Sequence, residues 1–251
     1  MSERRAHALS FGQAAEEYDR ARPGYPGEAV HWMLGDRPLR VVDLGAGTGI
    51  FTRLLLAAGH DVVAVEPDGG MRDALRRSLD GRPSGPGVEV LDGSAERIPV
   101  PDGSVDAVTA AQAYHWFDPE PAHAEIARVL RPGGVFAPVW NVRDEDVPWV
   151  RELALRTRSE ANGTSSWHQA AALTRTDPGP SFGPLETAEF RHAVRHTARS
   201  LQALVTTWSY WLTAPSELQQ QMLADVAAVV AGLPEEFDLP YVTRAFRLVR
   251  R

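Results

Sequence analysis

From residue 38 onward, short apolar runs alternate with amphipathic segments. Residues 38–44, PLRVVDL, form an apolar, β-branched run that ends at glycines, which is typical of a buried parallel strand. Residues 50–58, IFTRLLLAA, carry apolar side chains at helical spacing, and Gly59, a residue type that commonly ends helices, follows them. The pattern therefore predicts a strand, a glycine turn and a helix in succession.

The same alternation continues to residue 141. Further strands are predicted at 60–67, 88–96, 104–113 and 135–141, and helices at 70–79 and 118–134. The helix at 118–134 is expected to begin with Asp118 as its N-cap and Pro119 at its first position, and to end at a Pro-Gly-Gly exit. Five strands that alternate with helices predict a doubly wound parallel sheet.

Beyond residue 141 the pattern changes. It predicts helices at 147–161, 198–213 and 215–231, a sixth strand at 185–194 and a terminal strand at 241–249. The predicted fold class is α/β: a Rossmann-like, doubly wound, mostly parallel seven-stranded sheet with helices on both faces. An N-terminal helical lid and helical insertions in the C-terminal half complete this prediction.

Composition and charge narrow the functional classes. Hydrophobic residues make up 43% and charged residues 24% of the chain, as in ordinary globular proteins. The formal net charge of −7 disfavours a protein that grips a nucleic acid over a long footprint, because phosphate contacts require concentrated positive charge. We therefore expect no nucleic-acid partner.

Cysteine and histidine usage bears on cofactors and location. The absence of cysteine excludes disulfides, thiolate nucleophiles and cysteine zinc sites, and the eight histidines are scattered, so no metal is expected. The first residues lack the apolar run of a signal peptide, and no apolar segment long enough to span a membrane follows. These features predict a cytoplasmic protein without a membrane partner.

The turn at 45–49, Gly-Ala-Gly-Thr-Gly, lies directly between a predicted strand and a predicted helix. Residues without a Cβ let a ligand lie against the backbone. A dinucleotide fingerprint would place its third glycine at position 50, where this chain has Ile50, and a Walker loop would need a lysine, which the chain lacks. Both phosphate-binding interpretations are weakened.

Glu66 ends the second predicted strand, 21 residues after Gly45. Ligands of parallel α/β folds bind at the carboxyl ends of the strands, where an acid can accept hydrogen bonds from both ribose hydroxyls. This position indicates a nucleoside ligand without distinguishing NAD from S-adenosylmethionine. The structural alternative is that Glu66 caps the helix that follows Pro67 and Asp68.

Four motifs in order, VVDLGAGTG, VVAVEP, GSAERIPVPDGSVDAV and EIARVLRPGG, resemble the class I S-adenosylmethionine-dependent methyltransferases. The resemblance is strongest to the methyltransferase-11 type branch, which includes small-molecule enzymes. The segments FGQAAEEYDRARPGYP and AQAYHWFD extend the similarity over residues 11–141. The part of the chain that usually selects the substrate lies beyond it.

The resemblance implies a set of cofactor-binding residues. They are Tyr18, Arg22, Asp43, Gly45, Ala46, Gly47, Gly49, Glu66, Pro67, Ser94, Ala95, Glu96 and Gln112. The glycines would let the methionine and ribose portions lie against the turn, and Asp43 would face the methionine ammonium.

The same resemblance implies roles for residues farther along the cofactor. Ser94 stands where many relatives carry aspartate near the adenine amino group, and Ala95 would offer its backbone N–H to the ring. Gln112 would lie beneath the methionine moiety. Tyr18 and Arg22 would belong to the N-terminal lid, with Arg22 as a candidate for the cofactor carboxylate.

Methyl transfer from a sulfonium is an in-line displacement from an activated donor, so alignment and exclusion of water carry most of the rate. His115 follows the fourth predicted strand and is the candidate general base, because its unperturbed pKa lies near working pH. The alternative is that His115 only shapes the pocket. Candidate substrate-binding residues are Tyr25, Trp116, Trp140 and Asn141, the last two expected to point together toward the rim of the site.

Two further groups leave alternatives open. Trp208, Tyr210 and Trp211 line an apolar lid or simply belong to the core. Arg191, Arg195 and Arg199 bind an anionic substrate or form a solvated face.

We predict a methyltransferase that uses S-adenosylmethionine, needs no metal, and acts on a small-molecule acceptor, as in a biosynthetic pathway. The chain is expected to be one domain, 1–251, with lid helices at 1–36, a cofactor-binding core at 37–141, and substrate-side insertions with the last strands at 142–251. Alternatives are a methyltransferase of RNA or protein, an NAD-dependent oxidoreductase, and a non-catalytic cofactor-binding protein. The pattern leaves the oligomeric state and the methylated atom open.

Overall fold

A computed structural model describes Asp19, residues 21–81, 86–157, Leu173, and residues 178–212 and 214–251. Its seven-stranded sheet has the order β3-β2-β1-β4-β5-β7-β6. The strands are β1 (Arg40–Leu44), β2 (Asp61–Val65), β3 (Val88–Leu91), β4 (Val105–Ala111), β5 (Leu130–Arg143), β6 (Glu186–Thr197) and β7 (Glu236–Val249).

Helices cover both faces of the sheet. They are α1 (Gly27–Leu34), α2 (Ile50–Ala57), α3 (Gly69–Leu79), α4 (Pro119–Val129), α5 (Pro148–Thr157), α6 (Ala198–Thr206), α7 (Ser209–Leu212) and α8 (Ser216–Val230). A single 3-10 turn, Tyr114–Trp116, lies between β4 and α4. Tyr18 and the end of the helix predicted at 147–161 lie outside the described residues.

Strand directions confirm the predicted fold class. Strands β1 to β5 pair in parallel, whereas β7 runs antiparallel to both β5 and β6. The carboxyl ends of β1, β2, β4 and β5 therefore meet at one edge of the sheet, which is where parallel α/β folds bind their ligands.

Local sequence explains the first units. Strand β1 is buried from Val41 to Leu44, as expected of a parallel strand covered on both faces. Helix α3 begins where Asp68 accepts a hydrogen bond from the Met71 N–H at 2.8 Å, which is side-chain N-capping. The cap is thus Asp68 and not Glu66, so the alternative prediction for Glu66 is wrong.

The predicted end of helix α4 is also wrong. The helix stops at Val129, and the Pro-Gly-Gly segment lies inside β5 instead of forming a helix exit. Strand pairing shifts register here, because Leu130 pairs with Val105 while Val135 pairs with Ala107. The extra residues form an irregularity of the bulge type, which glycine accommodates. Asp118 occupies the N-cap position, yet its side chain makes no capping hydrogen bond.

Three apolar clusters account for most of the core. One face of the sheet packs Phe136, Trp140 and Ile126 with neighbouring aromatics. The opposite face packs α2 against β2, and α1 against β5, β6 and β7. The third cluster joins α5, α6 and α8 to β7, and it includes Trp208, which is buried. Core burial of Trp208 agrees with the second of the two interpretations offered for the late aromatic residues.

Candidate functional site

The loop 45–49 crosses the carboxyl end of β1 and is tied to β2. The backbone N–H groups of Gly45 and Ala46 both donate to the Val65 carbonyl, at 2.8 and 3.2 Å. All three glycines have positive φ, a conformation that L side chains rarely adopt. The loop is therefore held in a shape that only glycine accepts without strain.

The three glycines differ in what surrounds them. A Cβ on Gly45 would lie 2.6 Å from the Ala113 Cβ, and one on Gly49 would overlap the Leu75 side chain, so both residues are packed against protein. A Cβ on Gly47 would meet nothing within 4 Å. Gly47 is thus the glycine of this loop that leaves open space for a ligand.

A solvent-open cleft lies beside this loop. Its lining includes eight of the predicted site residues: Arg22, Tyr25, Asp43, Gly45, Ala46, Gly47, Gln112 and Asn141. Thr48, Ile50 and Phe51 also contribute. The cleft thus combines an acid, a guanidinium, two amides and an open backbone loop.

Asp43 is the buried acid of the cleft. Its carboxylate accepts hydrogen bonds from Thr52 Oγ1 at 2.7 Å and Thr109 Oγ1 at 2.9 Å. Burial raises the pKa of Asp43 to about 6, and the two hydroxyl donors oppose this rise. Asp43 is therefore mostly ionised at neutral pH. Neither threonine was predicted as a site residue, although Thr52 falls on the first turn of the helix that follows the glycines.

Glu66 faces the glycine loop from the end of β2. Its carboxylate accepts hydrogen bonds from the N–H groups of Gly47 and Asp68, each at 2.9 Å. Burial raises the pKa of Glu66 to about 7, while these two N–H groups lower it. Each oxygen keeps a lone pair for a further donor. The Glu66 carboxylate therefore lies beside Gly47, the open glycine of this loop. Pro67, the next residue, is half-buried.

The segment predicted to contact adenine follows β3. Ser94 pairs with Arg97 across a tight turn, Ala95 is buried, and Glu96 accepts a hydrogen bond from the Asp118 N–H at 2.9 Å. A Cβ on Gly93 would lie 2.9 Å from Val65 Cγ1, so the turn packs closely against the end of β2. Gly93 was not predicted. Residues 94–96 are not part of the cleft lining described above.

Gln112 follows β4 with a φ of 55°, unusual for a residue with a side chain. Its N–H donates to the Val139 carbonyl at 2.8 Å, and its Nε2 donates to the Asn141 carbonyl at 3.2 Å. Strained backbone of this kind occurs at functional sites when the surrounding structure holds it in place. Here the end of β5 supplies that support.

Asn141 and Trp140 lie on opposite faces of β5. Asn141 lines the cleft, and its amide donates to the Gly24 carbonyl at 2.8 Å and accepts from Thr243 Oγ1 at 2.5 Å. Trp140 is fully buried and packs edge-on against Tyr114 and Phe246. The prediction that both side chains point toward the rim is wrong for Trp140, because successive side chains of a strand alternate between faces.

His115 and Trp116 lie in the 3-10 turn after β4. Both side chains are half-buried, and their ring centroids are 4.7 Å apart. Neither belongs to the cleft lining described above, although Gln112 places the start of this segment at the cleft. The role of His115 as a base thus remains a prediction.

Residues 21–25 and Asp19, here called the N-terminal strap, cross the rim of the cleft. Asp19 accepts hydrogen bonds from Thr48 Oγ1 at 2.8 Å and Arg53 Nη2 at 2.7 Å. At the other end of the strap, Arg22 donates to Thr207 Oγ1 at 3.1 Å and to the Thr207 carbonyl at 2.9 Å. The strap thus connects the glycine loop with the end of α6.

Comparisons with known proteins decide the family. The methyltransferase domain model matches residues 42–137. An uncharacterized methyltransferase of Mycobacterium tuberculosis is 42% identical over 249 residues, covering 97% of each chain. The chain belongs to the class I methyltransferases. The malonyl-[acyl-carrier protein] O-methyltransferase of Methylococcus capsulatus is 39% identical to this methyltransferase over 145 residues, which are 54% of this chain and 51% of the relative.

A solved structure supports the same assignment. A candidate type II methyltransferase from Anaeromyxobacter dehalogenans is similar with a TM-score of 0.61 and 28% identity, covering 91% of this chain and 97% of that chain. Both share the Rossmann-like sheet of this class. The enzyme is therefore a methyltransferase of the S-adenosylmethionine-dependent type.

The cleft fits S-adenosylmethionine together with Glu66, which is not part of the cleft lining but is hydrogen-bonded to Gly47, which is. Glu66 offers acceptor positions for ribose hydroxyls, Gly47 leaves the backbone open beside it, and Asp43 supplies a negative charge for an ammonium. When bound, this cofactor supplies an electrophilic methyl group on a sulfonium.

The described residues contain neither a metal-binding cluster nor a membrane-spanning helix. Among the described residues, no group of three or more His, Asp or Glu side chains is arranged to hold a metal ion. No helix in the described parts of the chain has the length and apolar character to cross a membrane.

Proposed function

We propose that this enzyme transfers a methyl group from S-adenosylmethionine to a small-molecule acceptor of a biosynthetic pathway. One observation carries the proposal: the buried Glu66 carboxylate is hydrogen-bonded to the N–H of Gly47, the loop glycine that faces open space. A nucleoside laid along this loop would bring its ribose hydroxyls to an acceptor that is already oriented.

The cofactor would extend along the edge of the sheet from this point. Its ammonium would face Asp43, with Gln112 and Ala46 beside the methionine portion, all of which line the cleft. Arg22, at the strap, is the proposed partner of the cofactor carboxylate. The adenine would lie toward Ser94, Ala95 and Glu96, whose turn packs against the end of β2.

The acceptor side would begin where the cleft meets Tyr25 and Asn141. Tyr25 packs edge-on against Phe51, with ring centroids 5.0 Å apart, which orients it over the cleft. Asn141 acts mainly as a brace, since its amide is bonded to Gly24 and Thr243. Trp116 is a proposed wall of this region, whereas Trp140 is buried in the core and does not contribute to it.

Two considerations bear on the size of the acceptor, one for a small molecule and one for a protein-linked group. The net charge of −7 disfavours RNA. The name of the malonyl-[acyl-carrier protein] O-methyltransferase indicates an acceptor attached to a carrier protein. Its similarity to this enzyme covers only 54% of the chain. Protein-linked acceptors are therefore the rival class. Transfer of labelled methyl groups in cell extract, separated by size, distinguishes the two, because label in the protein fraction would contradict our proposal.

Cofactor binding gives the direct test. We expect S-adenosylhomocysteine to bind in isothermal titration calorimetry, and Glu66→Ala to weaken this binding by about 10- to 100-fold, the effect of losing hydrogen bonds to a charged group. The matched control is Glu89→Ala, an exposed acid on the neighbouring strand β3. NAD should not bind, because Ile50 replaces the third glycine of its fingerprint. Equal affinity in Glu66→Ala and wild type would refute the proposed site.

His115 is the proposed general base. Once an acceptor is identified, His115→Ala should reduce the transfer rate about 100-fold or more while the affinity for S-adenosylhomocysteine stays unchanged, in line with typical base catalysis. Unchanged transfer would assign His115 to shaping the pocket only.

A further inference from the structure

The sheet register aligns three polar side chains beyond the cleft. Arg143, the last residue of β5, pairs with Tyr241 of β7, and Tyr241 pairs with His192 of β6. Side chains two residues apart on a strand share a face, so Arg143 lies on the same face as Asn141, which lines the cleft. Arg143 therefore extends from the sheet just beyond the cofactor cleft, on its acceptor side.

The surroundings of Arg143 are unusual for a cation. Its guanidinium carbon lies 4.2 Å from the ring centroid of Trp208, and its Nη1 is buried without a hydrogen-bond partner among the residues that the structure describes. A buried charged donor is normally paired, because losing water without a partner is unfavourable. The aromatic face supplies only part of that compensation. An oxygen anion at Nη1 would supply the rest.

The nearest acid along the chain does not fill this role. Asp144 follows Arg143 directly but accepts a hydrogen bond from Arg191 at 3.3 Å. Arg191 is exposed and also lies 3.7 Å from Asp146. The exposed Arg191 is thus close to two carboxylates, whereas Nη1 of the half-buried Arg143 has no hydrogen-bond partner among the described residues.

Other donors converge on the same place. Arg22 is hydrogen-bonded to Thr207, the residue before Trp208. Arg143 pairs with Tyr241 across β5 and β7. Burial raises the pKa of Tyr241 to about 12, and the charges of Arg143 and Arg22 oppose this rise. The Tyr241 hydroxyl therefore remains a hydrogen-bond donor at neutral pH. His192 stacks on the Tyr241 ring, with centroids 5.5 Å apart, and helps to hold it.

We propose that Arg143 and the Tyr241 hydroxyl bind a carboxylate of the methyl acceptor, on the far side of the cleft from the glycine loop. This inference rests on the proposed function and specifies its substrate class. The planar fork of a guanidinium matches a carboxylate, and the guanidinium carbon of Arg143 lies over the face of the Trp208 ring, 4.2 Å from its centroid. Arg22 lines the cleft and is the proposed partner of the cofactor carboxylate, whereas Arg143 does not belong to the cleft lining.

The test uses the full chain saturated with S-adenosylhomocysteine. Calorimetry would compare acetate, succinate and benzoate with acetamide, succinamide and benzamide, and with inorganic phosphate. We expect at least one carboxylate to bind ten-fold or more tightly than its amide and more tightly than phosphate. Arg143→Met should lose this preference, and Arg143→Lys should keep only part of it, because lysine lacks the planar fork. The control Arg191→Met, at an exposed arginine of β6, should behave as wild type.

The affinity for S-adenosylhomocysteine separates this inference from the proposed function. If wild type binds S-adenosylhomocysteine but no carboxylate better than its amide, or binds phosphate best, the carboxylate site is refuted while the enzyme assignment stands. Preserved carboxylate binding in Arg143→Met also refutes it. A folded Arg143→Met that binds S-adenosylhomocysteine ten-fold more weakly would assign the arginine to the cofactor instead. Arg143→Gln repeats the comparison should Arg143→Met fail to fold.

Discussion

At the scale of single residues, the proton on Glu66 links the cofactor site to stability. Burial raises the pKa of its carboxyl from 4.5 to about 7, so the folded state holds a proton that the unfolded chain releases. The folded state is therefore favoured at low pH, and this contribution is lost as the pH rises from about 4.5 through about 7. In the proposed site the ionised form of Glu66 would be the stronger acceptor for ribose hydroxyls.

Glu66→Gln should therefore flatten the pH dependence of the free energy of unfolding. The expected difference between pH 4.5 and pH 8 is at most about 3 kcal/mol, from the shift in pKa. Urea titrations at several pH values measure it, with Glu89→Gln as the control on an exposed acid. Parallel pH profiles for wild type and Glu66→Gln would show that the carboxyl titrates normally.

Trp140 gives a second test at this scale. Because it is fully buried between Tyr114 and Phe246, Trp140→Ala should lower the free energy of unfolding by about 3–5 kcal/mol. The half-buried Trp116 is the matched comparison, and Trp116→Ala should lower it less. Urea denaturation measures both. A Trp140→Ala protein as stable as wild type would contradict the assignment of Trp140 to the core.

At the scale of elements, the glycines of the loop 45–49 differ in their surroundings: two are packed against protein and one faces open space. Gly45 and Gly49 are packed against Ala113 and Leu75, and Gly47 alone among the three faces open space. All three have positive φ, so conformational strain is common to them. The three positions differ in what the Cβ of an alanine would contact there.

Gly49→Ala and Gly47→Ala should therefore fail in different ways. Gly49→Ala combines strain with overpacking against Leu75 and should lower the free energy of unfolding by about 2–4 kcal/mol. Gly47→Ala should lower it by about 1 kcal/mol, from strain alone, yet weaken S-adenosylhomocysteine binding ten-fold or more. Urea denaturation and calorimetry measure the two effects. Unchanged binding in Gly47→Ala would move the ligand away from this loop.

At the scale of the whole molecule, one sheet joins the two halves of the chain. Strand β7, from the C-terminal half, pairs with β5 of the cofactor half along one edge and with β6 along the other. The N-terminal strap adds a second connection through Arg22 and Thr207. The halves share a continuous hydrogen-bonded layer and should unfold together.

Unfolding should accordingly be one transition. Tryptophan fluorescence, which reports on Trp149 and Trp208 of the C-terminal half as well as Trp32 and Trp140 of the N-terminal half, should follow the same urea curve as circular dichroism. S-adenosylhomocysteine at 100 times its Kd should move both curves together by about 2.7 kcal/mol, since it binds only the folded state. Two separated transitions, with the ligand affecting only one, would divide the chain into independent domains.

The sequence by itself determined the alternation of strands and helices and the class of fold, and it predicts the place of the cofactor site. These follow from local rules: buried β-branched runs, helical spacing of apolar residues, and glycines at a strand-to-helix turn. Gly47 and Glu66 are predicted to lie at this site because they follow β1 and β2, and parallel strands bring their carboxyl ends together. The motifs that indicated a methyltransferase are confirmed by the relatives.

Only the tertiary structure decided which side chains meet across the sheet. Trp140 and Asn141 are neighbours in the chain, yet one is core and the other lines the cleft. The alignment of Arg143 with Tyr241 and His192 depends on the register of β7, an antiparallel strand far away in sequence. A periodic pattern predicts that a strand exists, but the pairing of distant strands depends on the packing of the whole molecule, which no local stretch specifies.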